Sequence, residues 1–151
     1  SSDLWPLGRL WRLMTGRRNR AQRCLRLTGF EFEEYMAQVL RDNGFRHVEV
    51  TVECGDQGVD ILAVRGGKTY AIQCKNYAGA VGNAAVQEAY AGAEYYGCDV
   101  PAVVCPTMFT ASARELAEST GVELWDGERL SHMMRVSGRR PHHDPRRDDE
   151  L

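Results

Sequence analysis

The chain has 151 residues, of which 43% are apolar and 26% are charged, and its formal net charge is −2. This composition is typical of one globular domain with a few dozen residues to spare, and it excludes a fibrous or wholly disordered protein. No apolar run approaches the roughly 20 residues that a membrane-spanning helix needs, and the first residues lack the apolar stretch of a secretory signal. Because the chain begins without Met, an anchor upstream of its first residue stays open.

Charge is distributed unevenly along the chain. Residues 1–29 carry seven Arg against one Asp, a net of +6, whereas residues 30–136 carry eight basic against sixteen acidic residues, a net of −8. We therefore expect a basic N-terminal segment (1–27), a domain (28–136) and a tail (137–151) whose Pro, His and Asp content indicates disorder. The acidic domain argues against a simple nucleic-acid binder with a basic patch.

The basic segment suggests a structural role, and the cysteines suggest a cellular compartment. The segment is interpreted as a solvated extension, and an arm that contacts phosphates or a membrane is the alternative. The five cysteines include no C-x-x-C pair. This pattern argues against a disulfide framework or a zinc knuckle, and it predicts a reducing compartment, the cytoplasm.

The predicted elements alternate between helices and strands along the chain. Thr28 and Glu31 have the spacing of a capping box and predict a helix at about 30–43. Val59–Arg65 and Lys68–Lys75 are β-rich runs separated by two glycines, which is typical of a tight hairpin. The other predicted elements are strands at 47–52, 100–105 and 122–125 and helices at 83–97, 110–120 and 127–136. The order α-β-β-β-α-β-α-β-α predicts a three-layer α/β domain, a central mixed sheet flanked by helices.

The predicted hairpin brings three polar side chains together. If Gly66-Gly67 is the entire loop, Asp60 lies opposite Gln73, and alternation places Asp60, Gln73 and Lys75 on one face of the sheet. Directly opposed Cβ atoms lie about 4.5–5.5 Å apart. The other face is predicted to be core, and it carries Val59, Ile61, Ala63, Tyr70, Ile72 and Cys74.

This cluster contains the groups needed for phosphodiester hydrolysis. The Asp60 carboxylate and the Gln73 amide oxygen are hard ligands that suit Mg²⁺, which completes its shell with water and substrate phosphate. Lys75 could hold an attacking water or neutralise charge on a phosphate. From the residues alone, the alternative is a structural ion pair between Asp60 and Lys75, with Gln73 as a polar filler.

The motifs and their order resemble the Mrr-like branch of the restriction endonucleases, within the PD-(D/E)xK nuclease superfamily. That branch has an F-E pair in its first helix, then G-D-x-G-x-D and Q-x-K. The corresponding residues here are Phe32-Glu33, Gly55-Asp56-Gln57-Gly58-Val59-Asp60 and Gln73-Cys74-Lys75, and the match covers about residues 28–130. The resemblance implies a restriction-endonuclease-like fold for the domain.

The resemblance also implies roles for four residues. Asp60 would bind the metal, Gln73 would stand in the metal shell where most of the superfamily has Glu or Asp, and Lys75 would be the catalytic lysine. Glu33 would be the helix acid that reaches the site. A helical wheel places Glu33 at the edge of the buried stripe and Glu31 on the solvent side.

The roles of three further residues stay open. Asp56 is interpreted as a turn cap in the loop before the hairpin, and contact with a second metal is the alternative. Gln87 and Glu88, on the helix after the hairpin, could face the site, and the sequence does not decide between these orientations.

The function that the resemblance implies is an Mg²⁺-dependent DNA endonuclease, with Mn²⁺ as an alternative metal, which restricts foreign or modified DNA in the manner of type IV systems. Two alternatives stay open: a repair or recombination nuclease that acts on branched DNA, and a catalytically quiet nucleic-acid-binding module on the same fold. The expected partners are DNA, a second copy of the chain that would let two sites cut two strands, and a separate specificity domain or protein. No membrane partner is expected for this chain.

Overall fold

The computed structural model describes residues 17–51 and 58–150. The elements are α1 (Arg17–Gln22), a 3₁₀ turn (Arg23–Arg26), α2 (Gly29–Asp42), β1 (Arg46–Val50), β2 (Ile61–Arg65), β3 (Lys68–Cys74), α3 (Asn83–Tyr96), β4 (Val100–Val104), α4 (Ala111–Thr120), β5 (Glu123–Trp125), α5 (Gly127–Ser137) and a C-terminal 3₁₀ helix (Pro145–Glu150). The predicted order of helices and strands from residue 28 onward is confirmed. No helix in these two ranges is long and apolar enough to cross a membrane.

A five-stranded mixed sheet, in the order β1-β2-β3-β4-β5, forms the middle layer. β1, β2 and β3 pair antiparallel, and β3, β4 and β5 pair parallel. Parallel neighbours need a long crossover connection, and α3 and α4 provide these connections. β3 is therefore the central strand, with an antiparallel neighbour on one side and a parallel neighbour on the other.

The hairpin between β2 and β3 has the predicted register. Arg65 pairs with Lys68, and the pairing continues to Ile61 opposite Ile72. The two loop glycines have φ angles of 59° and 75°, as a two-residue type I′ turn requires. The pairing of regular strand residues begins at Ile61, so β2 is shorter than the run that predicted it.

Helices cover both faces of the sheet and confirm the three-layer architecture. On one face, α1, α2 and α5 pack around a cluster that includes the fully buried Phe32, Ile61 and Trp125. On the other face, α3 and α4 pack around a second cluster that includes Val86 and Val103.

The residues just before α2 belong to the core and not to a solvated extension. Ala21 and Cys24 are fully buried, and Leu27 is 6% exposed. The backbone N–H of Ala21 donates to Ser131 Oγ on α5 at 3.1 Å. The packed structure therefore begins before the predicted boundary at residue 28, because three apolar residues spaced three apart face the core within an arginine-rich segment. Residues 1–16 of the basic segment lie outside the described ranges.

Residues 138–148, which were expected to be part of a disordered tail, lie along α2. Tyr35 Oη donates to the carbonyl of Arg139 at 2.7 Å. Arg139 Nε forms an ion pair with Asp42 at 2.6 Å. Composition predicts disorder here because the tail has few apolar residues, and it does not reveal polar contacts to residues about a hundred positions earlier in the chain.

Glu31, which the helical wheel placed on the solvent side, is buried beneath this C-terminal segment. Its carboxylate accepts hydrogen bonds from the backbone N–H groups of Asp144 and Thr28, each at 2.9 Å. His143 Nδ1 lies 2.8 Å from the same carboxylate. These hydrogen bonds lower the pKa of Glu31 to about 2. Glu31 thus caps α2 and anchors the C-terminal segment.

Candidate active site

Asp60 and Glu33 form a pair of acids at the junction of α2 and the sheet. Asp60 directly precedes β2, and its Oδ2 accepts a hydrogen bond from the backbone N–H of Cys74 at 2.7 Å. Glu33 projects from α2 and shares a side-chain hydrogen bond with Asp60. Burial, together with the charge and hydrogen bond of Asp60, raises the pKa of Glu33 to about 8. Two carboxyl groups this close need a proton or a cation between them.

Glu88, on α3, engages the other two candidate residues. Gln73 Nε2 donates a hydrogen bond to Glu88 Oε2. Lys75 Nζ forms an ion pair with the same oxygen at 3.1 Å. Burial alone would lower the pKa of Lys75, but the hydrogen bond and charge of Glu88 outweigh burial and raise it. Lys75 is therefore a cation at neutral pH.

The structure brings the predicted residues to one end of β3 but not onto one face. Gln73 and Lys75 both contact α3, as alternation predicts for a shared face. Asp60 contacts Glu33 of α2, and in the described part of the chain it makes no hydrogen bond or ion pair with Gln73 or Lys75. The strict alternation of β2 starts at Ile61, so it does not extend back to Asp60.

Val59 shows the same break in alternation. It was expected in the core with Ile61, but it packs with Ala71 and Ala93 on the α3 side of the sheet. The other five apolar residues expected on that face do share one cluster with α2 and α5. The candidate site therefore joins the two helical layers around the end of β3. Asp56 lies outside the described residues.

The amide oxygen of Gln73 lacks a partner. The residue is 4% exposed, and the hydrogen bond from its amide nitrogen to Glu88 fixes the orientation of the amide group. Its Oε1 is buried without a hydrogen-bond partner in the described structure. A buried oxygen of this kind is normally satisfied by water, an ion or another polar group.

The donor types of these groups suit a divalent cation. The carboxylates of Glu33 and Asp60 and the amide oxygen of Gln73 are hard oxygen donors, the ligand type that Mg²⁺ prefers. Within the described residues, no three His, Cys, Asp or Glu side chains form a complete ligand set. The Gln73 amide and water molecules would therefore have to complete the coordination shell.

The two residues after Lys75 differ in their surroundings. Asn76 Nδ2 donates hydrogen bonds to the carbonyls of Cys24 at 2.9 Å and Leu27 at 3.0 Å. It thereby ties the first 3₁₀ turn to the end of β3. Tyr77 is 52% exposed, and Lys75 Nζ lies 5.5 Å from the centre of its ring. Tyr77 thus presents an aromatic face beside the lysine.

Gly58 allows α3 to approach the site closely. Its φ is +65°, and a Cβ atom there would lie 2.9 Å from the carbonyl oxygen of Glu88. We expect Gly58→Ala to lower the free energy of unfolding by about 1–2 kcal/mol from backbone strain alone, with a further loss from the clash. Displacement of Glu88 should also reduce the DNA cleavage that the sequence motifs predict, because Glu88 holds Lys75. Urea denaturation and a cleavage assay measure the two effects.

Gly66→Ala is the matched control for this variant. Gly66 has a φ of +59°, but a Cβ atom there meets nothing within 4 Å. It should therefore show only the strain of the positive φ and keep its activity. Equal losses of stability in the two variants, with equal activity, would contradict the close approach of α3 at Gly58.

Comparison with protein families identifies the domain. A family model described as Mrr_cat, restriction endonuclease, matches residues 24–134. This match spans most of the chain and includes Glu33, Asp60, Gln73, Lys75 and Glu88. The chain belongs to the Mrr_cat restriction endonuclease family. The resemblance seen in the motifs is thereby confirmed for this Mrr_cat domain.

Two solved structures share the fold of the Mrr_cat domain. One, described as protein of unknown function AF1548, has a TM-score of 0.63 and 23% identity over 74% of this chain and 67% of that chain. The other, the DNA modification-dependent restriction endonuclease AspBHI, has a TM-score of 0.62 and 17% identity over 82% of this chain. The match covers only 36% of AspBHI. Together with the family match, these structures confirm the expected restriction-endonuclease-like fold. No curated protein sequence matches this chain.

Proposed function

We propose that this domain is an Mg²⁺-dependent DNA endonuclease that restricts foreign or modified DNA. Membership of the family makes it a nuclease of the restriction-endonuclease type. The observation that carries the proposal further is the arrangement at the end of β3, where a pair of acids and the unpartnered amide oxygen of Gln73 lie near a protonated lysine.

Glu33, Asp60 and Gln73 are the residues that would hold the metal. Their oxygens are of the right type, and a cation would satisfy both the paired carboxylates and the orphaned amide oxygen of Gln73. When bound, the metal would lower the pKa of a water molecule and offset charge on the phosphate. The hydrogen bond from the Cys74 N–H holds the Asp60 carboxylate in place beside Glu33.

Lys75 acts in this proposal as a cation and not as a general base. Because its pKa is raised, it cannot take a proton from water at neutral pH. Its ammonium group instead orients the attacking water or neutralises charge that develops on the phosphate. Glu88 is a positioning residue, since it fixes the ammonium of Lys75 and the amide of Gln73 without itself needing to touch DNA.

The proposal that the substrate is modified DNA rests on the likeness to AspBHI. AspBHI, which shares the fold, is described as DNA modification-dependent, and this likeness supports modified DNA as the substrate. The second copy of the chain, the separate specificity module and the cytoplasmic location stay predictions. A specificity module would supply target selection, for which residues 17–51 and 58–150 offer no evident element.

The test is incubation of the purified chain with methylated and unmethylated plasmid DNA, and with branched and linear duplexes, in the presence of Mg²⁺, Mn²⁺ or EDTA. We expect nicking or cutting that requires the metal and is greater on the methylated plasmid. Equal cleavage of both plasmids would remove the modification requirement, and a preference for branched over linear DNA would favour the repair alternative. Binding without cleavage under every condition would leave the quiet-module alternative.

Metal binding should release a proton below about pH 8. Glu33 retains its proton at neutral pH because its pKa is raised, and a metal that uses its carboxylate must displace that proton. We therefore expect Mg²⁺ affinity to rise with pH up to about 8 and then level off. Calorimetry in buffers with different ionisation enthalpies measures the affinity and the proton release together.

Glu33→Gln should remove most of this pH dependence and weaken Mg²⁺ binding. Glu34→Gln is the matched control, because Glu34 pairs with Arg147 at 3.0 Å and lies outside the site. It should keep most of the wild-type pH dependence, because the charge of Glu34 is the smallest of the causes that raise the pKa of Glu33. Mg²⁺ affinity that does not vary with pH in the wild type would exclude Glu33 as a ligand.

A further inference from the structure

Arginines from separate parts of the chain line one concavity next to α1 and α5. The concavity has a volume of about 170 Å³. We call it the arginine cleft, and its basic residues are Arg20, Arg23, Arg135, Arg139 and Arg140. The other described residues that line it, Met134, Gly138 and Pro141, are uncharged.

The positive charge of the arginine cleft is largely uncompensated. Within the described residues, Arg139 is the one cleft arginine that forms an ion pair, with Asp42. Arg23, Arg135 and Arg140 are exposed, and Arg20 has a buried Nη1 atom without a hydrogen-bond partner. A guanidinium group does not lose its proton at any ordinary pH. An anion is therefore what would relieve the repulsion and satisfy the buried donor.

The chemistry of the arginine cleft favours phosphate as that anion. Guanidinium groups present planar forks of donors that match phosphate oxygens and bind them in pairs. Several arginines around one opening suit a ligand that carries several phosphates in a row, and the backbone of duplex DNA is such a ligand. The acidic charge of residues 30–136 would repel DNA elsewhere on the domain and steer it towards the cleft.

The arginine cleft is also connected to the candidate active site. Arg23 lies in the 3₁₀ turn that Asn76 holds through the carbonyls of Cys24 and Leu27. Asn76 directly follows Lys75. The turn that carries one wall of the cleft is therefore fixed to the strand end that carries the lysine.

We propose that the arginine cleft binds backbone phosphates of the DNA substrate and holds the duplex while the scissile bond enters the candidate active site. This inference rests on the proposed nuclease function, whose site it supplies with a substrate-binding surface. It gives the folded end of the basic segment a role in DNA binding, although the domain as a whole carries net negative charge.

The test is the variant Arg23→Gln/Arg135→Gln/Arg140→Gln, in which three exposed arginines lose their charge. Its binding to a short fluorescent DNA duplex is measured by anisotropy at several salt concentrations, with EDTA present so that cleavage does not interfere. We expect binding about tenfold weaker than wild type, and a slope of log affinity against log salt that is smaller by about 3, one for each lost phosphate contact. If this triple variant is unstable, Arg140→Gln alone should change the slope by about 1.

The matched control removes the same number of exposed arginines from other parts of the surface. Arg46 on β1, Arg65 on β2 and Arg114 on α4 are exposed and lie outside the cleft. The variant Arg46→Gln/Arg65→Gln/Arg114→Gln should bind DNA nearly as well as the wild type, with nearly the same slope. Melting curves of the three proteins show whether any loss comes from unfolding.

The outcomes separate this inference from the proposed function. If the wild type does not bind DNA, if the cleft variant binds as tightly as the wild type, or if the control loses as much, the inference is overturned, whatever the cleavage assay shows. If the cleft variant alone loses DNA binding while the wild type cuts no plasmid, the cleft assignment stands and the proposed function fails. If the cleft variant loses binding to phosphatidylserine vesicles and keeps its binding to DNA, the cleft belongs to a membrane contact and the inference is overturned.

Discussion

Lys75→Ala should reduce DNA cleavage by about 10²–10³-fold, because it removes a fixed charge next to the phosphate. The fold should survive, since Lys75 follows the last residue of β3 and its side chain contacts Glu88 on the surface of α3 and the exposed Tyr77. The measurement is the single-turnover cleavage rate at saturating Mg²⁺. DNA binding in EDTA should fall much less than the rate.

Lys68→Ala is the matched control, because Lys68 and Lys75 are the two lysines of the chain. Lys68 is exposed at the opposite end of the same strand. Its loss should leave the cleavage rate within about twofold of wild type, because screening weakens the effect of a distant exposed charge. Full activity in Lys75→Ala would reject the proposed role of this lysine.

Asp60→Asn should reduce metal-dependent cleavage by about 10²-fold or more and yet stabilise the fold at alkaline pH. The folded-state pKa of Glu33 is raised from 4.5 to about 8. The stability linked to that group is therefore fully present below pH 4.5 and is lost as pH rises through about 8. Burial and the charge of Asp60 raise the pKa of Glu33. Asp60→Asn removes that charge, so it should reduce the loss of stability at alkaline pH. Urea denaturation on either side of pH 8 measures the change.

Asp99→Asn is the control for this variant, because Asp99 lies at the other end of β3. Its Oδ2 accepts a hydrogen bond from the backbone N–H of Thr69 at 2.9 Å, and this bond lowers the pKa of Asp99. At pH values above 3.8, Asp99→Asn should destabilise the fold slightly. It should leave cleavage intact. A wild-type cleavage rate in Asp60→Asn would rule out Asp60 as a metal ligand.

The part of the site that lies on the hairpin could be predicted in detail. Two glycines between two β-rich runs leave one plausible loop, and a shift of one residue would turn the core face outward. The location of Gln73 and Lys75 on one face follows directly. Glu33 was chosen from its place on a helical wheel, and the structure does bring it to Asp60.

What could not be predicted depends on contacts between elements that are distant in sequence. The position of Glu88 was left undecided because periodicity does not fix the rotation of α3 against β3. Glu31 was placed towards solvent because a wheel cannot include a segment 112 residues away, to which His143 belongs. Asp60 departs from the expected face because alternation ends where regular pairing ends, and the sequence does not mark that point.

The central position of β3 determines how the candidate site responds to unfolding. The backbone N–H of Lys75 donates to Val104 on β4 at 2.9 Å, and that of Asp60 donates to Ile72 at the same distance. Amides at the middle of a sheet exchange with solvent mainly when the whole domain opens, whereas those of an edge strand such as β1 exchange through local fraying. Deuterium uptake at Lys75 and Asp60 should therefore follow the free energy of global unfolding, and heat or denaturant should remove activity and fold in a single cooperative step.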